Sequence, residues 1–140
     1  MLFKYMAKKL AILFGLVFIL VGLLAFIPNP IVGAGVGAIF LTDRMHDAVH
    51  LISGVIFLVV GLKKPESAAK TLMVLGVVYL LVTVLGFVHK PEGGEVAGLI
   101  AMNKADHILH LVLGVVLVLL GLFARKKDVS VPVSSPSEML

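Results

Sequence analysis

Four long runs of apolar residues constrain this chain more than any other feature of its sequence. The first run, residues 10–27, contains no charged residue, and the others fall at 43–62, 71–88 and 103–123. An α-helix rises about 1.5 Å per residue, so about 18 residues cover about 27 Å, close to the hydrocarbon thickness of a bilayer. The runs therefore predict an all-α, polytopic membrane protein with four spanning helices.

The composition excludes an ordinary water-soluble domain. Hydrophobic residues make up 60% of the chain and charged residues 14%, whereas soluble domains are about half apolar and about a quarter charged. Too few polar side chains are present to cover a surface in water, so the lipid bilayer is the expected main partner. The basic residues flank the apolar runs and form no common face, so no nucleic-acid partner is expected.

The segments between the runs predict how the helices are connected. Pro28 and Pro30 end the first helix, and the Gly-rich stretch 31–41 is too short to span. That stretch forms either a surface loop or a re-entrant segment. The linker 63–70 is short and polar, so the second and third helices should be antiparallel neighbours. Residues 89–102 form a second external loop.

Basic residues are distributed unequally between the two sides of the predicted bundle. By the positive-inside rule, both termini are expected in the cytoplasm, with the protein in the inner (cytoplasmic) membrane. We assign residues 1–127 to the transmembrane domain and the Ser/Pro-rich residues 128–140 to a disordered cytoplasmic tail. The side of the termini carries Lys4, Lys8, Lys9, Lys63, Lys64, Lys70, Arg125, Lys126 and Lys127, and the other side carries Arg44, Lys90 and Lys104.

The chain contains an internal repeat, residues 9–62 and 70–122, in which Gly15 aligns with Gly76. Each unit reads as a helix, an external loop and a capped helix. Because each unit has two spans, both units insert in the same orientation, which predicts a parallel repeat about a pseudo-twofold axis. The expected architecture is a four-helix bundle built from two parallel helix-hairpin repeats.

Glycines recur inside the predicted helices. In lipid, small residues let helix backbones approach closely, so these glycines are expected to line close-packed seams. They are Gly15, Gly22, Gly54, Gly61, Gly76, Gly86, Gly114 and Gly121.

Two polar stripes lie at the start of the second and fourth helices. Asp43, His46 and His50 occur at i, i+3 and i+7, which places them on one stripe of a helix. If the pseudo-twofold axis brings the two helices together, the stripes converge on one point, with the two helix caps above it. The second stripe consists of Asn103, Asp106 and His110.

Ordinary helix capping explains part of these stripes. Asp and Asn are preferred N-cap residues, and an acidic side chain three positions later resembles a capping box. Capping and interfacial roles suffice for Asp43, Asn103, Asp106, Asp47 and His107, and surface-loop positions suffice for His89 and Lys90.

His50 and His110 require a further explanation, because each lies about seven residues past its cap, roughly 10 Å along the helix. Ionisable groups at such depth indicate function. Three roles stay open: imidazoles that hydrogen-bond with each other or with the acidic residues, ligands of zinc or copper, and axial ligands of haem b. The metal site would use His46, His50, Asp106 and His110, supported by Asp43 and Asn103.

The function that we expect from these features is that of a small structural or accessory membrane protein with the His/Asp cluster as a polar clamp. A metal-binding (zinc or copper) or haem-carrying protein is the alternative, and a proton-responsive element is a third. The chain has no cysteine, and Ser53 has no evident charge-relay partner, so a nucleophilic enzyme is not expected. Other membrane subunits or a homo-oligomer are the expected protein partners.

The tandem layout and the two polar motifs resemble the small prokaryotic membrane proteins of domain-of-unknown-function family 4383, over about residues 8–124. In that family asparagine is usual where this chain has Asp43, Asp47 and His107, and the extra acidic and histidine side chains favour metal. The resemblance implies the fold and no activity. The motifs that carry it are Asp43-x-x-His46-Asp47-x-x-His50-Leu51-x-x-Gly54 and Asn103-x-x-Asp106-His107-x-x-His110-Leu111.

Overall fold

The computed structural model describes residues 2–34 and 37–126, so the predicted tail at 128–140 lies outside the described residues. Four helices in series account for most of the described chain. Loops join the helices at one end of the bundle, and a single-turn 3₁₀ helix joins the second and third at the other. The helices are α1 (Leu2–Leu24), α2 (Arg44–Lys63), α3 (Ala68–His89) and α4 (Lys104–Lys126).

The apolar runs located each helix correctly, and the largest difference concerns α1. This helix begins at Leu2 instead of residue 10, because residues 2–9 contain good helix formers and neither Gly nor Pro. It ends at Leu24, before the predicted end at residue 27. There the Asn29 side chain donates from Nδ2 to the Leu24 carbonyl oxygen at 3.0 Å. A side-chain cap, and not the prolines alone, therefore ends the helix.

Thr42 and Asp43 were both candidates for the N-cap of α2, and the structure uses Asp43; the predicted cap of α4, Asn103, is confirmed. Asp43 Oδ1 accepts a hydrogen bond from the backbone N–H of His46 at 2.7 Å. Asn103 Oδ1 accepts from the backbone N–H of Asp106 at 3.0 Å, and Asp106 Oδ2 accepts from the backbone N–H of Asn103 at 2.8 Å. This reciprocal pair is a capping box at the start of α4.

The two loops at the capped end contain short strands that the sequence did not predict. The first loop has a parallel pair, and the second is an antiparallel hairpin. The hairpin turns at Ala97 and Gly98, whose φ angles of 55° and 67° lie in the left-handed region that tight turns require. Segments this short show no alternation of apolar and polar residues. They are β1 (Val32–Gly33), β2 (Phe40–Leu41), β3 (Gly93–Val96) and β4 (Ile100–Asn103).

The helices pack as two antiparallel hairpins, α1 with α2 and α3 with α4. A Cβ added at Gly15 would lie 2.9 Å from the carbonyl oxygen of Gly54, and one at Gly76 would lie 2.9 Å from that of Gly114. Such distances exclude any side chain at these positions without movement of the backbone. The predicted role of the glycines is therefore confirmed, and the second hairpin repeats the contacts of the first.

Between the hairpins, α1 contacts α3, and their aromatic side chains meet at the pseudo-twofold axis. The rings of Phe18 and Tyr79, which occupy equivalent positions in the two repeats, lie 5.4 Å apart and almost perpendicular. Both side chains are buried in the apolar core, together with Phe57 on α2 and Leu117 on α4. The core thus lies along the axis, immediately next to the histidines of α2 and α4.

The distribution of polarity is the reverse of that in a water-soluble bundle. Large apolar side chains such as Leu20 and Leu81 are 64% and 59% exposed, whereas His107 and Asp106 are 0% and 2% exposed. Each of the four helices is long and apolar enough to cross a membrane. The fold therefore indicates a multi-pass membrane protein whose outer surface contacts lipid.

Candidate metal centre

Three buried histidines from two helices meet near the capped end of the bundle. His46 and His50 lie one turn apart on α2, and His110 lies on α4. Each offers one ring nitrogen, and these three nitrogens lie within 4.8 Å of one another. His50 Nε2 is 3.1 Å from His46 Nε2 and 3.5 Å from His110 Nε2. The two polar stripes were predicted to converge, and His46, His50 and His110 do so.

Equivalent aromatic rings support the two pseudo-symmetric histidines. The ring of Phe18 lies 5.3 Å from that of His50, and the ring of Tyr79 lies 5.3 Å from that of His110. The Tyr79 hydroxyl donates to Ser53 Oγ at 3.2 Å, which fixes the ring of Tyr79 against α2. One aromatic ring therefore packs against each of the two imidazoles and limits its orientation.

The backbone of the second loop orients His46. Its Nδ1 lies 2.8 Å from the carbonyl oxygen of Ala101 in β4. A carbonyl oxygen only accepts hydrogen bonds, so Nδ1 carries the proton, and a neutral ring then has a lone pair on Nε2. Metal-binding histidines are generally oriented in this way, with the second nitrogen donating to a carbonyl or carboxylate.

Hydrogen bonding alone does not satisfy the three facing nitrogens. A neutral His46 offers only a lone pair at Nε2, so a proton on His50 Nε2 must serve both short contacts. If His110 Nε2 carries a proton instead of His50 Nε2, no proton lies between the nitrogens of His46 and His50. Among the described residues, the Nδ1 atoms of His50 and His110 are also buried without a hydrogen-bond partner.

The spacing of the nitrogens matches that of ligands around a small ion. Zinc–imidazole bonds are about 2.0–2.1 Å long, so two ligand nitrogens on a tetrahedral ion are separated by about 3.3 Å. The two measured separations, 3.1 and 3.5 Å, lie on either side of this value. The three imidazoles could therefore hold zinc or another first-row ion with little rearrangement.

Asp106, predicted as a fourth ligand, lies beside this cluster but is occupied by backbone groups. Its Oδ2 accepts from the N–H of Leu41 at 3.0 Å and from the N–H of Asn103 at 2.8 Å. Only Oδ1 is left to coordinate an ion. Asp106 and His46 occupy equivalent positions in the two repeats, and both contact the loop of the opposite hairpin.

The two helix caps also connect the hairpins. Asp43 Oδ2 accepts from the backbone N–H of Ala101 at 2.9 Å, and Asn103 Nδ2 donates to the carbonyl oxygen of Ile39 at 2.9 Å. Asp43 and His46 thus hold the N–H and the carbonyl of the same residue in β4. The supporting role predicted for Asp43 and Asn103 takes the form of cross-links above the histidines.

His107 was assigned a capping or interfacial role, and its position shows a different one. The side chain is fully buried, and its Nε2 lies 2.8 Å from the carbonyl oxygen of Lys90 at the end of α3. The ring fills the space left by Gly86, where an added Cβ would lie 2.5 Å from His107 Cε1. His107 therefore joins α3 to α4 and lies outside the three-histidine cluster. His89 is exposed as predicted, but it is the last residue of α3 and does not lie in the loop.

A family model described as Domain of unknown function (DUF4383) matches residues 8–123. The chain belongs to this family. The match runs from within α1 to within α4 and includes both loops, so the resemblance seen in the motifs is confirmed. Comparison with curated proteins and with solved structures found no match. Membership of DUF4383 carries no activity, so the function must be argued from the site.

Proposed function

We propose that this DUF4383 protein binds one zinc or copper ion within the membrane through His46, His50 and His110. The observation that carries the proposal is the convergence of three ring nitrogens within 4.8 Å of one another, with His50 Nε2 at 3.1 and 3.5 Å from the other two, separations that suit a tetrahedral ion. The bond from His46 Nδ1 to the Ala101 carbonyl supports it, because it turns the lone pair on Nε2 toward the other two rings.

Zinc and copper are the ions that best suit this ligand set. Both ions bind imidazole nitrogens well. The intrinsic affinity of such a site is higher for Cu²⁺ than for Zn²⁺. Three neutral rings bring no negative charge, so the carboxylates of Asp106 and Asp43 next to the cluster would help to balance a divalent ion. Coordination by Asp106 through Oδ1 stays a prediction.

Haem b is less compatible with this geometry. Two axial histidines must lie on opposite sides of the iron, and bonds of about 2 Å place their nitrogens about 4 Å apart with the porphyrin between them. His50 Nε2 and His110 Nε2 are 3.5 Å apart, and His46 Nε2 lies 3.1 Å from the first of these atoms. With the third nitrogen so close to the other two, no space for a porphyrin is left between them.

A structural or accessory role is the second candidate, supported by the hydrogen bonds between the hairpins. His46, Asp43 and Asp106 each reach across to the opposite loop. In this role the cluster would stabilise the bundle without an ion. The helix glycines pack inside the hairpins, so they do not favour a second copy of the chain over other subunits as a partner.

The excess of basic residues at the end with the termini supports a position in the inner (cytoplasmic) membrane with both termini in the cytoplasm. The histidine cluster would then lie near the external face. Treatment of intact cells and of inverted vesicles with a thiol reagent, after introduction of cysteine at Ser67 or at Glu92, tests this orientation.

Elemental analysis of the purified full chain in detergent tests the metal proposal. We expect one zinc or copper per chain, lost in His50→Ala and kept in His89→Ala, which removes an exposed histidine. His107→Ala serves as a second control, because it removes a buried histidine outside the cluster. If the wild type contains no metal and His50→Ala unfolds more readily than the wild type, the histidine cluster acts as a polar clamp instead.

A further inference from the structure

Two cavities of unequal size lie on either side of the histidine cluster. The larger cavity lies between the end of α1, the first loop and α4, and has a volume of about 120 Å³. The smaller cavity lies between α3, the second loop and α2, and has a volume of about 30 Å³. His46 and His110 line both of them. Because the internal repeat makes the two cavities equivalent, a difference in their lining must explain the difference in volume.

That difference lies in the residue immediately before each helix cap. Thr42 lines the larger cavity, and Met102, at the equivalent position of the second repeat, lines the smaller one. The Met102 side chain is fully buried and fills the space beside α3. The facing residues of α1 and α3 are both valine, Val21 and Val82. The shorter side chain of Thr42 therefore leaves open a space that the second repeat closes.

The surface of the larger cavity consists almost entirely of carbon atoms, although polar residues surround it. The hydroxyl of Thr42 and the Nδ1 atoms of His50 and His110 are themselves buried. A buried water molecule needs about two to four polar partners, which this surface does not offer. A hydrocarbon group needs only van der Waals contact, and an empty apolar space forfeits that contact. The lining therefore fits an apolar occupant.

The larger cavity is continuous with the lipid-facing surface of the bundle. Ile31 and Leu109 line the cavity and also belong to the exposed apolar side chains on the outside of the molecule. Val21 and Leu24 line it from the last turn of α1, a helix that is long and apolar enough to cross a membrane. In a bilayer, the molecules next to this opening are the hydrocarbon chains of lipids.

We infer that the larger cavity binds one hydrocarbon chain of a membrane lipid, which enters between α1 and α4. A methylene group has about the volume of a water molecule, about 30 Å³, so about four such groups fit in about 120 Å³. The bound chain lies against the histidine cluster and keeps water from it on this side. This inference does not depend on a bound metal, because the contacts of the chain are with carbon atoms of the protein.

Photo-cross-linking of the full chain in liposomes tests the inference. The probe is a phosphatidylcholine with a diazirine midway along one acyl chain, and mass spectrometry locates the adducts. We expect adducts on Val32, which is buried in the lining, and on Leu20, which any surrounding lipid reaches. Thr42→Met copies the second repeat and should abolish the adducts on Val32 while those on Leu20 persist. Thr42→Val keeps the size of the side chain without its hydroxyl and should leave both unchanged.

Three outcomes would overturn the inference. If wild-type Leu20 is labelled and Val32 is not, lipid surrounds the bundle without entering it. If adducts on Val32 persist in Thr42→Met, the chain does not occupy this cavity. If they disappear in Thr42→Val, the occupant is a polar ligand held by the hydroxyl.

A second variant replaces Thr42→Met if that protein does not accumulate. Met102→Thr opens the smaller cavity and should increase the adducts on Val82 relative to those on the exposed Leu81. An unchanged ratio would contradict the inference, because the residue before the helix cap would then not decide whether a chain enters. Both variants keep all three histidines, so these results are independent of the metal proposal.

Discussion

Substitution of Asp106 separates a metal ligand from a structural brace. The carboxylate is 2% exposed, and its Oδ2 accepts two backbone hydrogen bonds, one from each hairpin. Asp106→Asn keeps an oxygen that can take the same place but loses the charge. Asp106→Ala removes the acceptor, so that the N–H groups of Leu41 and Asn103 lose their partner.

The expected effects follow from these two bonds. A hydrogen bond to a charged group contributes about 1.5–3 kcal/mol and one between neutral groups about 0.5–1.5 kcal/mol. Removal of both charged bonds in Asp106→Ala should therefore lower the free energy of unfolding by about 3–6 kcal/mol. Asp106→Asn should lower it by about 2 kcal/mol, because both bonds become neutral. Metal content should be unchanged in Asp106→Asn if the three histidines are the ligands.

Equilibrium unfolding of the detergent-solubilised chain with dodecyl sulfate, followed by circular dichroism, measures the change in stability. Elemental analysis of the same samples gives the metal content. Glu95→Ala is the matched control, because it removes an exposed carboxylate from β3 and should change neither quantity. Loss of the metal in a stably folded Asp106→Asn would show that Asp106 is a ligand, and a stable Asp106→Ala would refute the proposed brace.

Three further predictions concern packing, the fourth buried histidine and pH. Gly76→Leu should destabilise the bundle by at least about 1–3 kcal/mol, because its Cβ would lie 2.8 Å from the backbone nitrogen of Val118. Gly33→Ala, which meets no atom within 4 Å, should change the unfolding free energy by less than about 0.5 kcal/mol in the same assay. His107→Leu should cost about 0.5–1.5 kcal/mol by removing the ring's hydrogen bond to the Lys90 carbonyl, which still accepts from the Gly93 N–H, while metal content measured after dialysis stays unchanged. Acidification should release the metal, because only unprotonated imidazole coordinates it; retention at low pH and loss at high pH would contradict three histidine ligands.

The fold followed from the sequence because each relevant signal is local or periodic. The apolar runs located the helices, Asp43 and Asn103 located two helix starts, and glycine spacing revealed the repeat. The short strands were missed, since two to four residues carry no detectable alternation. The start of α1 was misplaced because membrane thickness, and not helix propensity, set the predicted boundary.

The site followed from the sequence only in part. The helical spacing of His46 and His50 and the alignment of His110 were enough to predict that these rings meet. The carbonyl of Ala101 that orients His46, and the amide of Leu41 that occupies Asp106, are backbone groups that no side-chain pattern reveals.

X-ray absorption spectroscopy of the metal bound to the full chain tests the central claim most directly. We expect about three imidazole nitrogens at about 2.0–2.1 Å from the metal. A metal surrounded mainly by oxygen, with no imidazole scattering, would contradict the proposal that His46, His50 and His110 form the site.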